Sequence, residues 1–106
     1  MRQMPATELK QYLADTDNPP LLLDVREPSE YEICRIQGSQ LVPMRQIPAH
    51  IEDLDNTRET VVICHHGVRS YQVALYLERY GFENVINLMG GVAAWARDVD
   101  PSMPTY

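Results

Sequence analysis

The chain has 106 residues, 44% apolar and 23% charged, which suits one globular domain and hardly two. Its net charge of −6 argues against a nucleic-acid partner, which wants a basic face. No apolar run approaches the roughly 20 residues of a membrane span, so no membrane role is expected.

The opening MRQMPATELK lacks the basic patch, apolar core and cleavage site of a signal peptide. A cytoplasmic location is therefore expected, with both cysteines present as thiols. A domain of this size buries well over half of its unfolded surface and needs no disulfide or metal to fold.

From the N-terminus, Pro5 to Ala14 reads as a short helix, with Leu9, Tyr12 and Leu13 on one stripe. The segment 15–20, DTDNPP, is a turn. The run 21–25, LLLDV, is short and continuously apolar, as in a strand covered on both faces. A short helix follows and ends near Cys34; Glu27 before Pro28, or Ser29 with Glu32, would start it. Residues 40–43 form a brief strand, and Ile47, Ile51 and Leu54 give the next helix its apolar face. Next come a strand over 60–63, a loop, and a helix over about 69–80 that Gly81 stops. Residues 85–88 make a last strand, Gly90-Gly91 a turn, and 92–97 a final helix carrying Trp95. Strands alternating with helices predict an α/β domain with a mostly parallel sheet. It is read as a single domain over 1–106, with its core at about 5–97 and an irregular tail at 98–106.

In such folds ligands bind at the carboxyl ends of the strands, where Asp24 and Cys64 both fall. The stretch VVICHHGVRS carries the chemistry. A helix start offers unpartnered N–H groups and partial positive charge. A cysteine beneath it is favoured as thiolate. Arg69 adds a full charge, and Gly67 lets the loop curl so that its N–H groups converge on an anion. His65 and His66 are expected to supply loop backbone and to shape the entrance. Cys-His-His is not a usual metal-ligand spacing, so no metal site is read. Such a nucleophile suits attack on phosphorus or on divalent sulfur.

The stretches LLLDVREPSEYE, IQGS, VVICHHGVRS and GFENVINLMGGVAAW together resemble a single-domain rhodanese, of the thiosulfate sulfurtransferase family. The resemblance runs from about Pro5 to Arg97. It implies a rhodanese-like α/β fold: a mostly parallel five-stranded sheet flanked by helices on both faces, with the catalytic loop after a central strand. It also implies sulfur over phosphorus. Sulfurtransferases of the superfamily have a six-residue loop, as in Cys64-His65-His66-Gly67-Val68-Arg69, and related phosphatases one residue more.

By the same resemblance Cys64 is the catalytic nucleophile, and the loop from His65 through Val68 to Ser70 binds the transferred sulfur. Asp24 would accept N–H bonds and Arg26 would sit in an ion pair, both supporting the loop without touching the substrate. The expected partners are a small anionic sulfur donor such as thiosulfate, or a persulfide, and a cyanide or thiol acceptor. The expected kinetics are ping-pong through a persulfide with no further cofactor. A relay to a sulfur-carrier protein, or a non-catalytic module acting on a protein partner, is the alternative. Cys34 stands where the family often has glycine; it is read as core packing, against a second reading as a resolving thiol.

Overall fold

The computed structural model describes residues 1–106. The chain forms β1 (Arg2–Pro5), α1 (Ala6–Asp15), β2 (Leu21–Asp24), α2 (Pro28–Ile33) and β3 (Gln40–Leu41). A 3-10 turn at Met44–Gln46, α3 (Ile47–His50) and a second 3-10 turn at Ile51–Asp53 follow. The chain ends with β4 (Thr60–Ile63), α4 (Val68–Arg79), β5 (Val85–Met89), α5 (Gly91–Asp98) and a tail. The five strands make one parallel sheet in the order β1-β5-β4-β2-β3.

Successive residues of a strand face opposite sides of the sheet, and the side chains sort accordingly. Leu22, Val61, Ile63, Ile86 and Leu88 pack with Leu9 of α1 and Val92 and Trp95 of α5. Leu23, Val62 and Val85 pack on the other face with Ile47 of α3 and Val73, Ala74 and Leu77 of α4. Cys64 continues the alternation of Val62 and lies on the α4 side. Apolar cover on both faces is why these strands read as unbroken apolar runs.

Helix ends follow local chemistry. Pro28 occupies the first turn of α2, and the Glu27 N–H donates to the Glu30 carboxylate at 3.1 Å, so Glu27 rather than Ser29 begins the helix. At the end of α4, Gly81 N–H donates to Glu78 O and Phe82 N–H to Leu77 O, both at 3.1 Å. Gly81 takes φ +90°, and buried Phe82 packs in the same cluster as Leu77, so a left-handed glycine terminates the helix as its position suggests.

Two elements, and the packing of the tail, differ from the sequence reading. Strand β1 was not foreseen; it pairs Arg2 to Ile86 through Pro5 to Met89 at the sheet edge. The helix expected over 47–54 is one α-turn followed by a 3-10 turn. The tail has no regular structure, yet Met103 is buried beside Trp95 and Tyr106 packs against His65.

Candidate active site

Residues 64–67 cross from the carboxyl end of β4 to the start of α4. Two sets of hydrogen bonds shape this loop. On its back, the carbonyls of Cys64 and His65 accept from the N–H groups of Val92 (2.9 Å) and Ala93 (3.1 Å), in the first turn of α5. On its front, the N–H groups of Gly67 (3.1 Å) and Ser70 (3.3 Å) donate to Cys64 Sγ. Carbonyls therefore face the neighbouring helix, and N–H groups converge on sulfur.

Glycines make this arrangement possible. A Cβ on Gly91 would stand 2.4 Å from both the Cys64 and His65 carbonyl oxygens, so only glycine lets α5 dock on the loop. Gly67 adopts φ +97° and packs against the β5–α5 turn, where a Cβ would meet Gly90 N at 3.1 Å.

Cys64 is 1% exposed. Its thiol donates to Ser70 Oγ at 3.2 Å. Ser70, fully buried, donates in turn to Asn87 Oδ1. Val68 stands exposed at the lip of the loop, and His66 is exposed beside it. His65 lies between the rings of His66 and Tyr106, each centroid 3.9 Å away. Burial, followed by the charge of His66, lowers the His65 pKa below its ordinary value and favours the neutral ring. His65, His66, Cys34 and Tyr106 border a small pocket of about 100 Å³ beside the loop.

Arg69 is at the start of α4 as read from the sequence, but its guanidinium is not free. It pairs with both Glu30 carboxylate oxygens, at 2.8 and 2.9 Å. This bond holds the Glu30 carboxyl down at about 2 and raises the Arg69 pKa. Tyr106 also donates to Glu30, at 2.8 Å. Burial is the main cause that pushes the Tyr106 phenol up to about 12.

Asp24 and Arg26 are both fully buried. The Asp24 carboxylate accepts from the Arg26 backbone N–H (3.1 Å), from Nε (3.0 and 3.1 Å) and from Nη2 (2.7 Å). Arg26 also donates to the carbonyls of Glu30 (3.3 Å) and Cys34 (2.7 Å), which terminates α2 with a side chain. That contact explains how Cys34 stands where a left-handed glycine is common. Its φ is −160°, ordinary extended backbone. Cys34 itself is 7% exposed, packs in the cluster of Trp95, and receives a contact from Arg26 Nη1 at 3.7 Å.

The structure thus gathers Cys64, Gly67 and Ser70 into one nest, with Arg69 at the rim and Asp24–Arg26 bracing α2 behind it. Sequence reasoning missed Glu30, Asn87 and Tyr106. Glu30 lies inside the quoted DVREPSE stretch, three residues after Glu27, the helix-capping position that one of the two readings of the α2 start implies. Asn87 is the one polar residue in an apolar strand, which is itself a signal. Tyr106 has no local pattern to mark it.

Comparison with known proteins identifies the family of the fold. A rhodanese-like domain model matches residues 5–98. A sulfurtransferase of Allochromatium vinosum is 38% identical over 97 residues, covering 92% of this chain and 90% of that protein. A probable adenylyltransferase/sulfurtransferase MoeZ of Mycobacterium tuberculosis is 36% identical over 101 residues, covering 93% of this chain and 26% of that protein. The chain also spans only 30% of the length of another curated relative. The crystal structure of a rhodanese-like domain protein from Staphylococcus aureus superposes with a TM-score of 0.83 at 33% identity, covering 90% of this chain and 91% of that one. With its five parallel strands and a cysteine loop docked on α5, this chain belongs to the rhodanese-like domain family.

Proposed function

We propose that this chain is a sulfurtransferase working through a persulfide on Cys64. The observation that carries the reading is the convergence of the Gly67 and Ser70 N–H groups on Cys64 Sγ. Donors aimed at a buried sulfur favour a thiolate and, after transfer, an anionic outer sulfur.

The reaction has two balanced halves. Cys64 thiolate attacks the outer sulfur of the donor; the new S–S bond forms as the donor's own bond to that sulfur breaks. With thiosulfate the leaving group is sulfite, and with a persulfide it is a thiolate. An acceptor nucleophile, cyanide or a thiol, then attacks the outer sulfur, and the electrons of the S–S bond return to Cys64 as thiolate. The six-residue loop from Cys64 to Arg69 supports sulfur over phosphate as the transferred group.

A second observation bears on the donor. Both arginines near the loop are matched by carboxylates, Arg69 by Glu30 and Arg26 by Asp24. His65 favours its neutral form. Little formal positive charge remains to attract a dianion into an acidic protein. This favours a persulfide donor, with relay from or to a protein thiol, over thiosulfate as the working substrate.

The test is an intact mass of the reduced protein after exposure to thiosulfate or to a low-molecular-weight persulfide. Wild type should gain one sulfur atom and release it to cyanide as thiocyanate. Cys64→Ser should gain none. A gain that survives in Cys64→Ser, or none in wild type with either donor, overturns the reading.

A further inference from the structure

Asn87 stands in the middle of β5, 1% exposed, in a strand otherwise built from apolar residues on its buried positions. A buried amide in such a place must have every hydrogen-bonding atom matched. Its partners are Ser70 Oγ on Oδ1, and the Gly67 carbonyl (3.1 Å) and Gln3 Oε1 (2.8 Å) on Nδ2. The Gly67 carbonyl can only accept, so the Asn87 atom facing it is the nitrogen. Oδ1 therefore faces Ser70, and it too can only accept.

The direction of the remaining bonds follows. Ser70 has one hydroxyl proton, and Asn87 Oδ1 takes it. Ser70 Oγ is left with lone pairs toward Cys64 Sγ, 3.2 Å away, and accepts the thiol proton. Gln3, beside Asn87 in the β1–β5 register, holds the amide from its other side. The chain Gln3–Asn87–Ser70–Cys64 is no proton wire, because the Asn87 amide does not take up a proton near neutral pH.

We propose that Asn87 is a positioning residue that withholds the Ser70 hydroxyl proton from Cys64, so that the thiol is held by Ser70 and the thiolate by backbone N–H groups alone. Two acceptors, Asn87 Oδ1 and the thiolate, compete for one proton, and the amide is fixed on three sides. The consequence is a thiolate that is less stabilised and a stronger nucleophile. A thiolate stripped of one charge-assisted hydrogen bond is more reactive toward divalent sulfur than one held by three. The purpose given to Asn87 rests on the sulfur-transfer reading; its test does not.

The experiment is the rate of Cys64 alkylation by iodoacetamide as a function of pH, in a Cys34→Ala background that leaves one thiol. The charged and titratable groups on the elements around Cys64 are the pairs Asp24–Arg26 and Glu30–Arg69, with His65, His66 and Tyr106; all stay intact. Asn87→Ala frees the Ser70 hydroxyl to turn to sulfur. The pH of half-maximal rate should then fall by roughly half a unit to one unit, the scale of one gained hydrogen bond to a charge. Adding Ser70→Ala should abolish that fall. Asn87→Asp keeps an acceptor for Ser70 and adds negative charge, so it should give no fall. Ser70→Ala alone should leave the profile in place or move it down. A rise there would mean that Ser70 already donates to the thiolate, and would overturn the proposal. So would an unchanged profile in Asn87→Ala. Should Asn87→Ala fail to fold, the sign of the Ser70→Ala shift decides. Failure of sulfur loading with these outcomes intact would count against the proposed function and not against Asn87.

Discussion

Arg69 and Glu30 neutralise one another at the rim of the cysteine loop, joined by two hydrogen bonds of 2.8 and 2.9 Å. The pair links the first turn of α4 to α2 and sets the charge at the rim of the loop. Its members are separable by mutation, and they pull in opposite directions.

Glu30→Gln leaves Arg69 unopposed, and Arg69→Ala leaves a bare carboxylate. The first should raise kcat/KM for thiosulfate several-fold and the second should lower it by a similar factor, on the order of ten at most at low salt. Both differences should shrink as ionic strength rises. Rates with thiosulfate at two salt concentrations check this. A neutral persulfide donor should respond much less.

The same pair makes stability depend on acid. The folded Glu30 carboxyl titrates at about 2, below its ordinary 4.5. Its contribution is fully present above pH 4.5 and is lost as pH falls toward 2, because the unfolded chain takes up the proton first. At ~1.4 kcal/mol per pH unit the ceiling is about 3 kcal/mol, and solvent around the partly exposed Arg69 reduces it to about 1–2 kcal/mol. Urea unfolding between pH 5 and 3 should show a shallower loss for Glu30→Gln than for wild type.

Two glycine substitutions should part company. Gly81→Ala adds a Cβ with nothing within 4 Å and meets only the strain of φ +90°, about 1 kcal/mol. Gly91→Ala drives a Cβ into two carbonyls of the cysteine loop at 2.4 Å. It should cost several kcal/mol and abolish sulfur loading, whereas Gly81→Ala should load normally. Melting temperatures and intact masses of both variants check this.

Arg26→Met should be among the most damaging single changes. It leaves the buried Asp24 carboxylate with only the backbone N–H of residue 26 and no opposing charge, and it strips the Cys34 carbonyl of its donor. A loss of about 3–5 kcal/mol is expected in chemical unfolding. Adding Asp24→Leu should recover part of that loss, since two apolar residues are tolerated better than one orphaned charge.

Much of this architecture was legible in the residues. The strand over 60–63, the helix stopped by Gly81, and the cysteine at a strand's carboxyl end all rest on local patterns, and they fall where those patterns put them. Strand β1 did not announce itself, because only Met4 among Arg2–Pro5 is buried and a short edge strand carries no alternation. Long-range pairing was likewise invisible. Arg69 was read as a free charge at a helix start, and only the folded chain brings Glu30 to it across 39 positions. Tyr106 reaches Arg26 from 80 residues away for the same reason.

The docking of α5 on the loop has a temporal meaning. Cys64 and Ser70 are synthesised well before Val92 and Ala93, the residues that hold the loop carbonyls. Strand β1 must also wait, because its only neighbour in the sheet is β5. A growing chain therefore carries Cys64 for nearly thirty further residues before α5 can brace its loop. The cysteine loop is braced only when β5 and α5 close over what came first.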